Sequence, residues 1–204
     1  MLLGYPPVHE GNDVASFDDF VADFDWSKVS PAGPVFDMDK LNWLNGAYIR
    51  QLEPTELAQR IIAYANEFQS AGWGEREANV VTAAVPLIQE RLVLLADAKD
   101  QVAFLLADDA DIVIADDARA QLREDSPQVI DAAVEVLTTL PTWTADAIQS
   151  ALKEKLVTEM GIKARFAFAP LRVALSGQKV SPPLFESMEI LGRDSTLRRL
   201  KALS

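Results

Sequence analysis

A chain of 204 residues with 49% hydrophobic residues can bury a sizeable core, in one large domain or two small ones. It contains no cysteine and one histidine, which excludes disulfides and thiolate metal sites, so we expect no metal cofactor. No apolar run approaches the roughly 18 residues of a membrane-spanning helix, and no secretory signal precedes the body, so we expect a cytoplasmic protein with no membrane partner.

The first 34 residues are predicted to be a leader that connects the helical body to something upstream. Met1 to Pro7 is typical of the last turn of a helix, closed by Gly4 and two prolines, which indicates a fragment whose preceding helix is missing. A short acidic helix capped by Ser16 follows and runs to Phe24. Residues 31–34 then form a connector of proline and glycine.

Six helices are predicted between Phe36 and Gly161 from apolar spacing and helix-end signals. The first begins behind Asp37 as its N-cap, and the second begins at Pro54. The third runs from Glu75 towards Leu95, and Pro86 is expected to kink or divide it because proline removes a backbone donor. The apolar stripe of the second helix is formed by Leu57, Ile61, Tyr64 and Phe68. The other three helices run from Asp97 to Leu106, from Ser126 to Pro141 and from Thr144 to Gly161. The residues predicted to face inward in the last of these are Ile148, Leu152, Leu156 and Met160.

The predicted fold class is all-α, with two packed helical sub-bundles and about ten helices, because no stretch alternates with the two-residue period of a strand. We assign residues 35–115 to the first sub-bundle and residues 116–204 to the second. Between them, an acidic run is interpreted as a solvated connector. Its aspartates are Asp108, Asp109, Asp111, Asp116 and Asp117.

Charge is distributed unevenly along the chain. The net charge of −12 argues against a nucleic-acid partner, but residues 1–94 and 95–145 carry −8 each, whereas residues 146–204 carry 10 Lys+Arg against 6 Asp+Glu, or +4. A basic surface on an acidic body can still attract a polyanion. The same cations would also suit the dipoles of short helices, so charge alone leaves both readings open.

Residues with the spacing of a catalytic site are not found. His9 has no partner histidine and lies in the leader, and the glycines around Trp73 do not match a nucleotide-binding loop. Adjacent aspartates are more typical of solvated faces than of a general acid and base. We therefore expect no enzymatic activity from this chain by itself.

Two stretches resemble the C-terminal half of bacterial glutamyl-tRNA synthetases. The first reads FDMDKLNWLNGAYIR from Phe36 to Arg50. The second reads PLRVALSG from Pro170 and is followed by PPLF from Pro182, by LG, and by LRRL ending at Leu200. Both occur in the family's order and at about its spacing, so the resemblance covers nearly the whole chain.

The resemblance implies a fragment that begins after a class I catalytic core, without its ATP, magnesium or glutamate sites. The parent enzyme would join glutamate to its tRNA, and this fragment, with no cofactor, would bind the anticodon of glutamate-accepting tRNA. We expect a monomer that does not bind DNA.

The resemblance also assigns the anticodon-binding residues. Arg172 matches an arginine that contacts the anticodon, and the family's base-binding loop matches Ser181, Pro182, Leu184 and Phe185. Unpaired bases can be stacked on aromatic rings and read along their edges by arginine, so these residue types suit the role. Arg91 aligns with the arginine that helps some members to reject glutamine tRNA at the third anticodon base.

Plainer interpretations remain open for the same residues. By residue type, Leu184 and Phe185 would fill the core beneath a terminal helix, and Arg172 would form a surface ion pair. The competing function is an acidic helical module that binds protein through an exposed apolar face and has no basic groove. The two functions are distinguished by whether four cations lie on one surface beside Phe185, namely Arg172, Lys179, Arg198 and Arg199.

Overall fold

The computed structural model describes residues 4–9, 13–32, 36–68 and 72–204. Across these ranges the protein is all-α, with eleven α-helices and no β-strand, which confirms the predicted fold class. None of the described helices has both the length and the apolar content needed to cross a membrane. Met1 to Leu3 of the predicted helix end, and residues 33–34 of the predicted connector, lie outside the described residues.

The α-helices, in chain order, are α1 (Phe17–Asp23), α2 (Met38–Gln51), α3 (Pro54–Phe68), α4 (Glu75–Ile88), α5 (Asp97–Leu106), α6 (Asp116–Arg119), α7 (Ser126–Thr138), α8 (Ala145–Leu152), α9 (Ala164–Ser176), α10 (Leu184–Leu191) and α11 (Arg193–Lys201). Short 3-10 turns occupy Trp26–Lys28, Gln89–Arg91 and Asp109–Asp111, and a π-helical segment occupies Lys153–Glu159.

Three helices begin at the caps that the sequence predicts. The Ser16 hydroxyl and the Asp37 carboxylate accept hydrogen bonds from backbone N–H groups three residues on, at 3.0 Å and 2.9 Å. Thr144 caps α8 in the same way. These side chains satisfy backbone donors that a first helical turn leaves without partners, so the local sequence sets where each helix starts.

Two predictions about inward-facing residues are wrong. Phe68 is 66% exposed and its ring lies tilted against that of Tyr64, whereas the buried stripe of α3 runs through Ala58 and Ala65. Met160 is also exposed, since it follows the π-helical segment, whose wider turn breaks the four-residue register. The helical segment that begins at Glu75 is divided near Pro86, as predicted: the α-helix ends two residues after the proline and continues only as a 3-10 turn.

Two hydrophobic clusters form the interior. The first bundle, made by α2 to α5, buries large side chains that include Leu57, Ile61 and Ile88. The second bundle, made by α7 to α11, buries a larger set that includes Leu171 and Leu175. The boundary at residues 115 and 116 stays a prediction, since the two clusters show only that the chain changes partners between Ile112 and Val129.

Asp109, in the acidic connector, is bonded to α11. The interpretation of Asp109 as a solvated residue is therefore wrong. Its carboxylate accepts hydrogen bonds from the Ser195 hydroxyl and from the Nε atoms of Arg198 and Arg199, the latter two at 2.7 Å. Burial alone would raise the pKa of Asp109, but these hydrogen bonds outweigh it and lower the pKa to about 2. The side chain is therefore a charged structural link.

Arg199, the buried partner of Asp109, lies in the interface between the two bundles. Its side chain is buried, and its terminal nitrogens donate to three main-chain carbonyls, those of Phe104, Ala107 and Leu175, at 2.7 to 2.9 Å. Phe104 lies on α5 of the first bundle and Leu175 on α9 of the second. One buried guanidinium thus fixes α5 against α9, the helix that carries Arg172.

Candidate nucleic-acid interface

Gly177 allows the sharp turn by which the chain leaves α9 and enters the following loop. This residue has φ +68°, and a Cβ added to it would lie 2.1 Å from the carbonyl oxygen of Val113. Its own carbonyl accepts from the N–H of Ala115 at 2.9 Å. Only glycine fits a left-handed backbone at this close approach. The connector and the end of α9 therefore lie in direct contact, and the chain turns back along α9 towards residue 181.

Arg172 fixes this returning loop to α9. Its Nη1 atom lies 2.7 Å from the hydroxyl of Ser181, 3.1 Å from the carbonyl oxygen of Pro182 and 3.3 Å from the carbonyl oxygen of Ser181. Arg172 is half-buried, whereas Ser181 and Pro182 are buried. The arginine and the predicted base-binding loop therefore form one unit, in place of the surface ion pair considered from the sequence.

Arg91 reaches the same loop from the first bundle. Its Nη1 atom donates to the carbonyl oxygen of Ser181 at 3.0 Å. Burial, and secondarily the positive charge of Arg91, lower the pKa of the Arg172 guanidinium. No carboxylate pairs with either arginine among the residues that the structure describes. Two cations from different bundles thus meet without neutralisation at one loop.

The two apolar residues of the predicted loop are differently placed. Leu184 is 5% exposed and belongs to the second core, as the plainer interpretation expects. Phe185 is partly buried against that core and meets Phe168 edge to face, with ring centroids 5.2 Å apart. A base could therefore reach Phe185 but not the side chain of Leu184.

A basic cleft of about 330 Å³ lies beside Arg172. Arg165, Phe168 and Arg172 line it from one face of α9, Lys179 lines it from the following loop, and Gln121 closes it from the turn after α6. Three of its lining residues are cations and none is acidic. Sequence reasoning singled out Arg172 and Lys179 but missed the others, although the spacing of residues 165, 168 and 172 is that of one helical face.

The four cations chosen from the sequence to distinguish the two candidate functions do not lie together on one surface. Arg172 and Lys179 line the basic cleft, and the cleft wall Phe168 contacts Phe185. Arg198 and Arg199 are instead bonded to Asp109, and Arg199 is buried. The test is therefore not met as it was stated, because two of the four cations lie elsewhere. The structure does have a basic cleft, which is lined by Arg165, Arg172 and Lys179.

Comparison with known proteins identifies the family of this chain. A family model described as "Anticodon binding domain" matches residues 55–203. The glutamate–tRNA ligase of Cutibacterium acnes is 50% identical over 206 residues, covering 98% of this chain and 41% of that protein. The glutamate–tRNA ligase of Acidothermus cellulolyticus is 48% identical, covering 98% and 40%. The chain thus spans about two fifths of the length of these curated relatives.

The fold is also shared with a solved structure. The crystal structure of a glutamate tRNA ligase from Elizabethkingia meningosepticum in complex with its amino acid matches with a TM-score of 0.82 and 20% identity. The match covers 99% of this chain and 39% of that one. At this identity the match supports the fold alone. The family model covers most of the chain, and the chain therefore belongs to the anticodon-binding domain family.

Proposed function

We propose that this chain binds the anticodon of glutamate-accepting tRNA, as the anticodon-binding part of a glutamate–tRNA ligase. The observation that carries the proposal is the convergence of Arg91 and Arg172, from two bundles, on the carbonyl of Ser181. The relatives, which are glutamate–tRNA ligases, supply the identity of the tRNA.

The hydrogen bonds of Arg172 leave donors available for RNA. All three contacts to the loop use Nη1, whereas Nε and Nη2 make no hydrogen bond among the described residues. A guanidinium has five N–H donors in a rigid plane, so three N–H groups remain. A base edge offers paired acceptors to such a plane, and Arg172 can therefore hold the loop and bind a base at once.

The loop residues have different parts in this proposal. The partly exposed ring of Phe185 offers a face on which an unpaired base can stack. Ser181 and Pro182 present the two carbonyls that set the position of Arg172. Leu184 anchors the start of α10 in the core and so keeps Phe185 in place. Each residue of the predicted site thus has a physical task, and only some of them touch the RNA.

The activity of the whole protein is also part of the proposal. We propose that the parent joins glutamate to tRNA with ATP, and that the part of the parent outside this chain binds ATP and magnesium. On this proposal the chain by itself is a cytoplasmic, monomeric RNA-binding unit without a cofactor or a catalytic role.

The alternative, an acidic helical module that binds protein, is less well supported. It predicted the absence of a basic groove, and the cleft beside Arg172 has three cations and no acid. Exposed aromatic side chains such as Phe17 and Trp26 do occur near α1. A protein contact there would be compatible with RNA binding at the loop.

A tRNA titration tests the proposed function. Fluorescently labelled glutamate tRNA and an unrelated tRNA are titrated with the chain at two salt concentrations. We expect tighter binding of glutamate tRNA at both, with both affinities falling as salt rises. Absence of binding, or equal weak binding of the two tRNAs, would refute specific recognition.

A further inference from the structure

We propose that the cleft beside Arg172 is a second RNA-binding element, in which Arg165 and Lys179 bind backbone phosphates of RNA next to the anticodon bases. The inference rests on the proposed function and adds a sequence-independent site to a loop that reads bases.

Both cations are available for a polyanion. In the part of the chain that the structure describes, the side chains of Arg165 and Lys179 make neither an ion pair nor a hydrogen bond. Both are exposed. In a protein with a net charge of −12, two such cations lining one cleft that has no acid leave its positive potential unneutralised.

The other cavities near the interface lack this property. A cavity of about 290 Å³ between the bundles is lined by Arg198 and Arg199, but also by Asp108 and Asp109. A cavity of about 270 Å³ beside Ser181 is lined by Asp100 and has no cation. Of the three, the cleft beside Arg172 is the one whose charge suits phosphate.

An aromatic ring contacts the Arg165 guanidinium but does not neutralise its charge. The guanidinium carbon of Arg165 lies 4.3 Å from the ring centroid of Phe166, and that of Arg123 lies at the same distance. A cation–π contact restrains the side chain but occupies none of its N–H donors. Arg123 is neutralised by Asp125, whereas Arg165 is not. Arg165 is therefore a restrained cation with free donors.

The face of α9 orders these groups along the path of an RNA strand. Arg165 and Arg172 are seven residues apart, or about 10.5 Å along the helix axis at 1.5 Å per residue. Phe168 lies between them, and the small side chain of Ala169 leaves the cleft open. A cationic groove with an aromatic wall is the combination by which proteins hold single-stranded RNA. A strand whose base contacts Arg172 can thus continue past Phe168 to Arg165.

The test compares two double variants of equal charge. Arg165→Gln with Lys179→Gln removes both cleft cations, and Arg60→Gln with Lys28→Gln removes two cations that are ion-paired outside the second bundle. Each is titrated over a salt series with a glutamate tRNA transcript and with the same transcript carrying another anticodon. All variants lie at exposed side chains, and thermal unfolding verifies that each is folded.

The cleft variant is expected to bind both transcripts more weakly by the same factor, roughly tenfold, because hydrogen bonds to charged groups are stronger than those between neutral groups. Its plot of log affinity against log salt should be shallower by about 1.4, which corresponds to two phosphates at about 0.7 each. The control variant should match the wild-type chain. Arg165→Lys with Lys179→Arg, which keeps the charges, should retain most of the affinity.

Three outcomes would overturn the inference. They are unchanged affinity and slope in the cleft variant, a loss confined to the transcript with the glutamate anticodon, and an equal loss in the control variant. Failure of the wild-type chain to bind either transcript would refute the proposed function, and with it this inference. A wild-type chain that binds while the cleft variant is unaffected would refute the cleft alone.

Discussion

The Nη1 atoms of Arg91 and Arg172 donate to one acceptor, the carbonyl oxygen of Ser181, at 3.0 Å and 3.3 Å. One arginine follows α4 of the first bundle and the other lies on α9 of the second. Each alone would hold one side of the loop. Together they make the position of the loop depend on how the two bundles are joined.

Replacing Arg172 by alanine should weaken anticodon recognition. The change removes three hydrogen bonds to the loop and the N–H groups left for a base. We expect a loss on the order of 1 to 3 kcal/mol in binding of glutamate tRNA. Titration of the variant with glutamate tRNA and with an anticodon-changed transcript measures it. Arg60→Ala is the control, and an affinity equal to that of the wild type would contradict the role of Arg172.

Replacing Arg91 by glutamine should relax discrimination between glutamate and glutamine tRNA. Glutamine is shorter and uncharged, so both the contact to Ser181 and the positive charge beside Arg172 are lost. We expect the ratio of the two affinities to fall, with a smaller change in the affinity for glutamate tRNA. Competition binding with both tRNAs gives the ratio. Undiminished rejection of glutamine tRNA would remove this assignment.

Replacing Asp109 by asparagine should destabilise the joined bundles. The substitution leaves Arg199 buried without its carboxylate. Removing one partner of a buried ion pair typically costs about 3 to 5 kcal/mol, and the partial exposure of Asp109 favours the lower value. Urea unfolding measures the change, and Asp108→Asn, at an exposed neighbour, is the control. Equal stability of the two variants would show that Asp109 is not the link.

Acid should release the same link. Because the pKa of Asp109 is lowered from 3.8 to about 2 on folding, its carboxylate contributes stability that is fully present above pH 4. That contribution is lost as the pH falls towards 2. In the Asp109→Asn variant, the fall in unfolding free energy between pH 4 and pH 2 should be smaller than in the wild type. Identical pH profiles would contradict the lowered pKa.

Replacing Gly177 by alanine should disturb the loop as well as the backbone. Its φ of +68° strains any other residue, and the new Cβ would meet the Val113 carbonyl at 2.1 Å. Gly161→Ala is the matched control, because its φ is +67° and no atom lies within 4 Å. We expect about 1 kcal/mol of destabilisation for the control and more for Gly177→Ala. Of the two variants, only Gly177→Ala should weaken tRNA binding. Equal effects on unfolding would show that the close contact is unimportant.

Local signals in the sequence were enough to place most helices and their caps. Ser16, Asp37 and Thr144 act through neighbours in the chain, and so their roles can be read from short windows. The resemblance brought Arg91, Arg172 and the loop together as a hypothesis, and the structure places them in contact. Whether they bind RNA stays a prediction.

What the sequence could not reveal depends on contacts between distant segments. Asp109 was one of five similar aspartates, and only its position opposite Arg199 makes it a link. Arg165 was not singled out from the sequence, and only the fold places it with Lys179 and Phe168 around a cleft. Ala65 replaces Phe68 in the stripe of α3 because the neighbouring helices decide which face is covered.

Exchanging the anticodon alone between two tRNAs tests whether this chain reads the anticodon. The glutamate anticodon is placed in an unrelated tRNA, and the unrelated anticodon in glutamate tRNA, and the dissociation constants of all four RNAs are measured at one salt concentration. We predict that affinity follows the anticodon, with the tighter pair favoured by roughly tenfold, as expected for about 1.4 kcal/mol of base contacts. Affinity that follows the body of the tRNA, or that is the same for all four, would contradict anticodon recognition by this chain.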